Sequence, residues 1–193
     1  MKINNLYKRF GDKQIFNGES FSFDEGKITY ILGESGIGKT TLLKIIAGLD
    51  NDFKGDFSEK SDNISYVFQE PRLFPNLTVS ENVTISCDSS KHTVGELLSL
   101  LELENEANAL PSSLSGGMKM RVAIARALYN DGDLFLMDEP FAALDEDLKL
   151  RILPKLFLLL KGKTIVIISH NIEEAKAYSD CIINFNSQLK PKQ

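Results

Sequence analysis

One glycine-rich segment of the sequence has the residue types and the spacing of a phosphate-binding loop. It runs Gly33-Glu34-Ser35-Gly36-Ile37-Gly38-Lys39-Thr40 and fits the pattern G-x-x-x-x-G-K-[ST]. Glycines let the backbone wrap around a phosphate chain, so that N–H groups and the positive end of the following helix face the anion. Lys39 would neutralise the β and γ oxygens, and the Thr40 hydroxyl would ligate Mg²⁺. The segment therefore predicts a site for a nucleoside triphosphate and its magnesium ion.

An acidic pair supplies a second candidate for chemistry at phosphate. Asp138 and Glu139 follow the apolar run Leu134 to Met137, which is typical of a buried strand. In open α/β sheets, ligands bind beside the carboxyl ends of the strands. Asp138 could hold the Mg²⁺ shell, and Glu139 could orient and deprotonate an attacking water. Taken alone, such a pair also fits a helix N-cap or a solvated turn, so this interpretation depends on the phosphate-binding loop upstream.

Short apolar runs alternate with helix-like segments through much of the chain. This alternation predicts a largely parallel sheet with helices on both faces. The phosphate-binding loop is flanked as the scheme requires, by one predicted strand and one predicted helix. The predicted strands are 21–23, 28–32, 64–68, 134–137, 165–168 and 182–185, and the predicted helices are 39–47, 146–160 and 172–178.

Composition excludes several functional classes. The 193 residues are 42% hydrophobic and 25% charged, which is typical of a globular chain of one domain. A net charge of -5 gives no reason to expect a broad nucleic-acid surface. Apolar runs stay far short of the roughly 20 residues that cross a bilayer. Cys87 and Cys181 lie far apart and match no zinc spacing, so a cytosolic, thiol-reduced location is expected.

A third segment makes the assignment to a family specific. It runs Leu114-Ser115-Gly116-Gly117-Met118 and is followed by a basic helix-like stretch. This resembles the signature of the ATP-binding cassette (ABC) ATPases, whose usual form is LSGGQ followed by a basic helix. Other elements stand in the family's order along the chain. They resemble the aromatic that stacks on adenine, the Q-loop glutamine, the D-loop aspartate and the switch histidine, at Phe10, Gln69, Asp145 and His170.

The resemblance implies a P-loop NTPase fold. Its α/β core would be RecA-like, with a mostly parallel sheet and an N-terminal antiparallel β portion. Residues 70–130 show helix-type periodicity without strand patterns, which indicates an inserted helical subdomain that carries the signature. We therefore expect a single ABC ATPase domain over 1–193, with a catalytic core from 1–69 and 131–193. The short segment after His170 leads us to expect no C-terminal regulatory domain.

The resemblance also implies which residues form the site. Phe10 would stack on adenine, for which a phenyl ring suffices in place of the more frequent tyrosine. Gln69 would contact Mg²⁺ or the attacking water, and His170 would hydrogen-bond a γ-phosphate oxygen. The catalytic residues would be Lys39, Gln69, Glu139 and His170; the metal ligands Thr40, Gln69 and Asp138, the last through water; and the nucleotide-binding residues Phe10, Gly33, Glu34, Ser35, Gly36, Ile37, Gly38, Lys39, Thr40 and Thr41.

The signature would act in trans. Ser115, Gly116 and Gly117 precede a helix, so they could form a second anion site, although local sequence alone favours a plain N-cap. In the family this site clamps the γ-phosphate bound to the partner's P-loop, so catalysis requires a dimer. Met118 replaces the usual glutamine, which removes one amide and keeps the backbone donors. A histidine or glutamine at a strand end is likewise often structural, and the family position favours function for His170 and Gln69.

The function implied by the resemblance is that of an ABC transporter ATPase subunit. The segment Pro71-Arg72-Leu73-Phe74-Pro75 resembles bacterial importers of small anions, sulfonates or vitamins. Expected partners are a second ATPase subunit forming a homodimer, integral membrane permease subunits and an extracytoplasmic solute-binding protein, without nucleic acid. The chain would be cytoplasmic and peripheral on the inner face of the membrane.

Three points stay open at this stage. The first alternative to a transporter subunit is a soluble ABC ATPase that acts on ribosomes, DNA or a regulatory partner. The second alternative, motivated by Met118, is a degenerate cassette that binds nucleotide but serves mainly as an assembly or regulatory subunit. The apolar residues Leu73, Phe74, Leu77 and Val79 either form an exposed groove for the membrane partner or pack the subdomain core.

Overall fold

The computed structural model of the chain describes residues 1–59, 61–87 and 90–188. Within these ranges it has strands β1 Lys2–Phe10, β2 Lys13–Ser22, β3 Ile28–Leu32, β4 Lys54–Ser58, β5 Ile64–Val67, β6 Leu134–Asp138, β7 Thr164–Ile168 and β8 Cys181–Asn184. The α-helices are α1 Lys39–Ile46, α2 Val79–Thr84, α3 Val94–Leu100, α4 Gly116–Asn130, α5 Glu146–Leu159, α6 Ile172–Tyr178 and α7 Phe185–Gln188.

Five strands form a parallel sheet, as the sequence predicts. Their order is β5-β6-β7-β3-β8, and every neighbouring pair is parallel. Each residue of β6 is buried, which explains why the strand is apolar from Leu134 to Met137, before Asp138 ends it. Along β6, Phe135 and Met137 face one hydrophobic core while Leu134 and Leu136 face the other. The sheet therefore separates two apolar layers.

Strand register brings the chemistry-bearing residues to one edge. Strands β3, β5, β6 and β7 all point the same way, so the residues after each strand meet at the carboxyl edge. The phosphate-binding loop follows β3, Gln69 follows β5, the acidic pair closes β6, and His170 follows β7.

A second sheet contains three antiparallel strands in the order β2-β1-β4. The N-terminal antiparallel portion implied by the resemblance is thereby confirmed. Residue patterns alone indicated a strand only at 21–23, whereas β2 begins at Lys13 and ends at Ser22. The long β1 escaped detection because bulges interrupt its alternation, giving buried residues at Ile3, Leu6 and Lys8 without a regular period of two.

The stretch from 70 to 130 is helical, and its described residues contain no strand. Capping boxes begin α2 and α3, where the hydroxyls of Thr78 and Thr93 pair with the N3 glutamates. Val79 is fully buried in the larger of the two cores, the one that contains Phe135 and Met137. Phe74, in contrast, is 49% exposed. The apolar set of this region is therefore divided between core and surface.

Two strands end one residue earlier than the sequence predicts. Strand β5 ends at Val67, one residue before its predicted end, and β8 ends at Asn184 because α7 begins at Phe185. Residues after Gln188, from the predicted polar tail, lie outside the described ranges. Among the described residues, no helix is both long and apolar enough to cross a membrane.

Candidate nucleotide site

The phosphate-binding loop joins β3 to α1 as the sequence predicts. Gly38 is the N-cap of α1 and has a φ of 115°, in the left-handed region that favours glycine. A Cβ at this position would lie 2.6 Å from Ile15 Cγ2, so a side chain is excluded by space as well as by backbone conformation. The free N–H groups of the first turn of α1 therefore point into an open loop that suits an anion.

Lys39 lies at the first position of α1 with its ammonium folded into the loop. Its Nζ donates to the carbonyl oxygens of Gly33, at 2.6 Å, and Glu34, at 2.7 Å. Burial lowers the pKa of Lys39, and the nearby carboxylates of Glu139 and Asp138 offset part of that effect. Because an ammonium has three N–H donors, one remains for a phosphate oxygen.

Thr40 and Asp138 meet at the floor of the site. The Thr40 hydroxyl donates to Asp138 Oδ2 at 2.7 Å across 98 residues of sequence. Asp138 is buried, and within the described part of the chain its Oδ1 has no hydrogen-bond partner. Burial raises the pKa of Asp138, and the Thr40 bond opposes the rise. This carboxylate is therefore held at an energetic cost that a cation would relieve.

Glu139 and His170 form a second polar pair above this floor. Glu139 Oε1 lies 2.9 Å from His170 Nε2, and the histidine side chain is nearly half exposed. Glu139 has a φ of 51°, a left-handed conformation that costs a non-glycine residue about 1–3 kcal/mol. Its amide donates to the Ile168 carbonyl at 3.0 Å, which holds this conformation between β6 and β7.

Residues of the loop, with Thr40 and Glu139, line one cleft of about 320 Å³. Asp138 and His170 do not line it themselves but contact Thr40 and Glu139, which do. Phe10 and Gln69 stand at its borders, and Lys13 and Ile15 from β2 also line it. The sequence offers no signal for Lys13 or Ile15, because only the fold brings β2 to the loop. The predicted residues that line the cleft are Phe10, Ser35, Gly36, Gly38, Lys39, Thr40, Thr41, Gln69 and Glu139.

Three predicted loop residues lie beside the cleft. Gly33 packs under α7, where a Cβ would approach Phe185 Cβ to 2.9 Å. The Glu34 amide donates to Asn186 Oδ1 at 3.1 Å, and Ile37 packs partly buried against the smaller core. These residues therefore shape the loop, and Asn186 is a contact that the sequence did not predict.

The signature segment begins α4 and, within the described part of the chain, does not line this cleft. Ser115 is the N-cap of α4 and its hydroxyl accepts from the Met118 amide at 3.2 Å. A Cβ on Gly117 would lie 2.8 Å from the Ala143 carbonyl oxygen, whereas one on Gly116 would meet nothing within 4 Å. Asp145 likewise caps α5, accepting from the Leu148 amide at 2.9 Å. Gly117 of the signature therefore packs close to Ala143 at the start of the D-loop Ala143-Leu144-Asp145.

A family profile described as ABC transporter matches residues 16–142. The chain belongs to the ABC transporter family. The aliphatic sulfonates import ATP-binding protein SsuB 1 of Pseudomonas syringae pv. syringae (strain B728a) is 39% identical over 193 residues, covering 97% of this chain and 81% of that protein. SsuB of Bacillus anthracis is 37% identical over 191 residues, covering 92% of this chain and 76% of that protein.

Solved ABC structures agree with the fold. The dimeric structure of MJ0796, a bacterial ABC transporter cassette, has a TM-score of 0.81 and 32% identity, covering 95% of this chain and 93% of that chain. A post-hydrolysis dimer of MJ0796 bound to ADP and Pi has a TM-score of 0.80 at the same coverage. The protein is thus an ATP-binding and ATP-hydrolysing cassette of an ABC transporter.

The Q-loop region of the cassette shows a connection that residue patterns did not indicate. Arg126 on α4 donates to the carbonyl oxygens of Pro71, at 2.9 Å, and Arg72, at 3.0 Å. Gln69 stands two residues before this contact and lines the cleft. The signature helix is therefore bonded to the segment that follows the glutamine.

Proposed function

We propose that this cassette binds ATP with Mg²⁺ in the cleft at the carboxyl edge of the parallel sheet and uses Glu139 as general base. One observation carries the proposal: the Thr40–Asp138 pair and the Glu139–His170 pair border the same loop whose helix begins at Lys39. The nucleotide would lie along the loop, with adenine on Phe10 and the γ-phosphate near Glu139.

The side-chain oxygens of Thr40, Asp138 and Gln69 fit a magnesium ion. Mg²⁺ prefers oxygen donors, and Thr40 Oγ1, the Asp138 carboxylate and the Gln69 amide are of that class. The partnerless Asp138 Oδ1 offers a buried negative oxygen with no protein donor among the described residues. Thr40 and Gln69 would bind the ion directly and Asp138 through water. When bound, the ion neutralises charge on the β and γ oxygens.

Catalysis would rest mainly on electrostatics and positioning. Lys39 and the amides of residues 36–41 would stabilise the charge that spreads over the phosphoryl oxygens in the transition state. Glu139 would accept the proton of the attacking water, and His170 would hold the carboxylate and contact the γ-phosphate. The left-handed backbone of Glu139 and the contact of its carboxylate with His170 would hold the side chain in place before substrate arrives.

A second copy of the chain would complete each site. Ser115, Gly116, Gly117 and Met118 begin a helix of 15 residues away from their own cleft, which supports a role toward a nucleotide bound by another subunit. MJ0796 is described as dimeric, which supports a homodimer here. Gly117 touches the D-loop, so Asp145 would lie at the same interface.

We further infer a role in import through a membrane permease. The names of the SsuB relatives refer to import of aliphatic sulfonates, and that of CysA of Mesostigma viride to import of sulfate and thiosulfate, at 38% identity over 208 residues. The cargo class would accordingly be a sulfonate or sulfate delivered by an extracytoplasmic binding protein. The cassette would be cytoplasmic, peripheral at the inner face of the membrane. Residues 1–69 and 131–193 would form its catalytic core and 70–130 the helical subdomain.

Reconstitution tests this transport role. The cassette is purified together with its membrane permease, placed in proteoliposomes and given ATP and the binding protein loaded with an aliphatic sulfonate or with sulfate. ATP-dependent uptake of either anion, lost in the Lys39→Ala variant, supports the role. ATPase activity without uptake, accompanied by association with ribosomes, would support the soluble alternative instead.

A further inference from the structure

Lys8 is a buried lysine on β1, two residues before Phe10, with no role in the chemistry described above. It is only 3% exposed. Its Nζ donates to Asp50 Oδ1 at 2.8 Å, to the Asp52 carbonyl at 2.6 Å and to Asp52 Oδ2 at 3.4 Å. Burial lowers the pKa of Lys8, but its bonds to Asp50 and Asp52 raise the pKa by more, so the ammonium stays charged at neutral pH.

The same ammonium lies against the aromatic ring that borders the cleft. Lys8 Nζ is 4.6 Å from the centroid of the Phe10 ring, which is a cation–π distance. Phe10 is nevertheless 52% exposed, so the ring keeps accessible surface while it contacts the cation. A base stacking on Phe10 would therefore meet a ring whose position the ammonium helps to hold.

The loop that holds Lys8 is attached to the helix of the phosphate-binding loop. The amides of Leu49 and Asp50 donate to the Lys44 carbonyl in the last turn of α1, at 2.8 Å and 3.2 Å. Helix α1 begins at Lys39, where phosphate would bind. Lys8 thus connects two parts of the site. It contacts the Phe10 ring, and through Asp50 it is joined to the C-terminal end of α1, whose N-terminal end belongs to the phosphate-binding loop.

We propose that Lys8 is a positioning residue for the adenine base: it fixes the Phe10 ring relative to α1, so that base and phosphates can be bound together. The proposal rests on the proposed adenine contact of Phe10. Its consequence is specific to the base, because Lys8 touches the aromatic and the loop after α1 and, as described, makes no bond to residues 33–40.

Binding of two ligands separates base from phosphate. The Kd values of ATP and of inorganic tripolyphosphate, each with Mg²⁺, are measured by titration calorimetry. Lys8→Met keeps an unbranched side chain of nearly the same length and removes its charge, and we expect it to weaken ATP binding about three- to tenfold while leaving tripolyphosphate within about twofold. Lys8→Arg, which keeps the cation, should recover most of the ATP affinity. Lys2→Met, exposed on the same strand, is the matched control.

A second variant controls for the unpaired carboxylate that Lys8→Met leaves behind. Lys8→Met leaves Asp50 without its ammonium, so Lys8→Met/Asp50→Asn removes that unpaired charge and should show the same selective loss for ATP. Thermal unfolding confirms that each protein is folded, and tripolyphosphate binding confirms that the loop is intact.

The outcomes separate this inference from the proposed site. If Phe10→Ala weakens ATP binding while Lys8→Met and Lys8→Met/Asp50→Asn bind ATP like wild type, the inference is overturned and the site stands. Equal losses for ATP and tripolyphosphate in folded Lys8 variants also overturn it, since they indicate general damage. If Phe10→Ala binds ATP like wild type, the adenine contact and the inference fail together. A wild-type protein that binds neither ligand contradicts the proposed function itself.

Discussion

Glu139 and His170 lie 2.9 Å apart because two parallel strands end in register. Asp138 of β6 pairs with Ile168 of β7. Glu139, one residue after Asp138, and His170, two residues after Ile168, therefore lie beyond the same edge of the sheet. The Glu139 amide donates to the Ile168 carbonyl and fixes the backbone between them. In the proposed mechanism this carboxylate, bonded to an imidazole and lining the same cleft as the phosphate-binding loop, would accept the proton of the attacking water.

Removing the imidazole should slow turnover more than it weakens binding. We expect His170→Ala to lower kcat by about 10²-fold or more, because Glu139 loses its partner and the γ-phosphate loses a donor. The KM for ATP should stay within about threefold. Steady-state ATPase assays check this, with His92→Ala, the other histidine, as control. Equal kcat in both variants would contradict the role of His170.

The buried carboxylate of Asp138 should lower the stability of the metal-free protein. Its folded pKa is raised above the ordinary 3.8, mainly by burial. Between the unfolded and the folded pKa, the folded protein holds more protons, so stability falls as pH rises through that window and the cost is fully present above it. Asp138→Asn removes the cost and should unfold at a temperature higher than wild type at pH 7 in chelator, while losing ATPase activity.

The pH profile of that difference is diagnostic. Melting temperatures of wild type and Asp138→Asn should converge as pH falls toward 3.8, because the wild-type carboxyl is then neutral as well. An advantage that does not change between pH 4 and pH 8 would show that titration of Asp138 is not its origin.

Two adjacent glycines of the signature should respond differently to one methyl group. Gly117→Ala forces a Cβ to 2.8 Å from the Ala143 carbonyl, and overpacking of this kind costs about 1–3 kcal/mol. Gly116→Ala meets no atom within 4 Å, so its free energy of unfolding should be unchanged or slightly higher. Urea denaturation of the nucleotide-free protein measures both. Equal stability of the two variants would contradict the contact between signature and D-loop.

Arg126 should stabilise the segment after Gln69. Arg126→Ala removes two bonds to the Pro71 and Arg72 carbonyls, and we expect a loss of about 1–3 kcal/mol because two carbonyls, the one of Pro71 partly buried, lose a charged donor. Arg151→Ala, which breaks an exposed pair with Glu102, should cost much less. Hydrogen exchange of the amides of residues 69–74 should increase only in the Arg126 variant. Unchanged exchange there would argue against this connection.

Sequence was most informative where backbone and chemistry impose the same residues. The loop before Lys39 and the apolar strand before Asp138 are local patterns with few alternative structures, so both could be predicted. Strand β1 could not, because bulges remove its periodicity and its buried Lys8 has the residue type of a surface position. Contacts such as Ile15 against Gly38 or Asn186 on Glu34 depend on strands and helices far apart in sequence, and nothing local signals them.

The Glu139→Gln variant tests the central claim most directly. Glutamine keeps the shape of the side chain but cannot accept the proton of water, so we expect kcat for ATP to fall by about 10²–10⁴-fold. ATP should still bind, and the unhydrolysed nucleotide should hold two chains together. ATPase rate and molar mass by light scattering, with and without Mg²⁺ and ATP, are measured on the same sample. We expect a nearly inactive variant that is a dimer with ATP and a monomer without it; hydrolysis at the wild-type rate would show that Glu139 is not the general base.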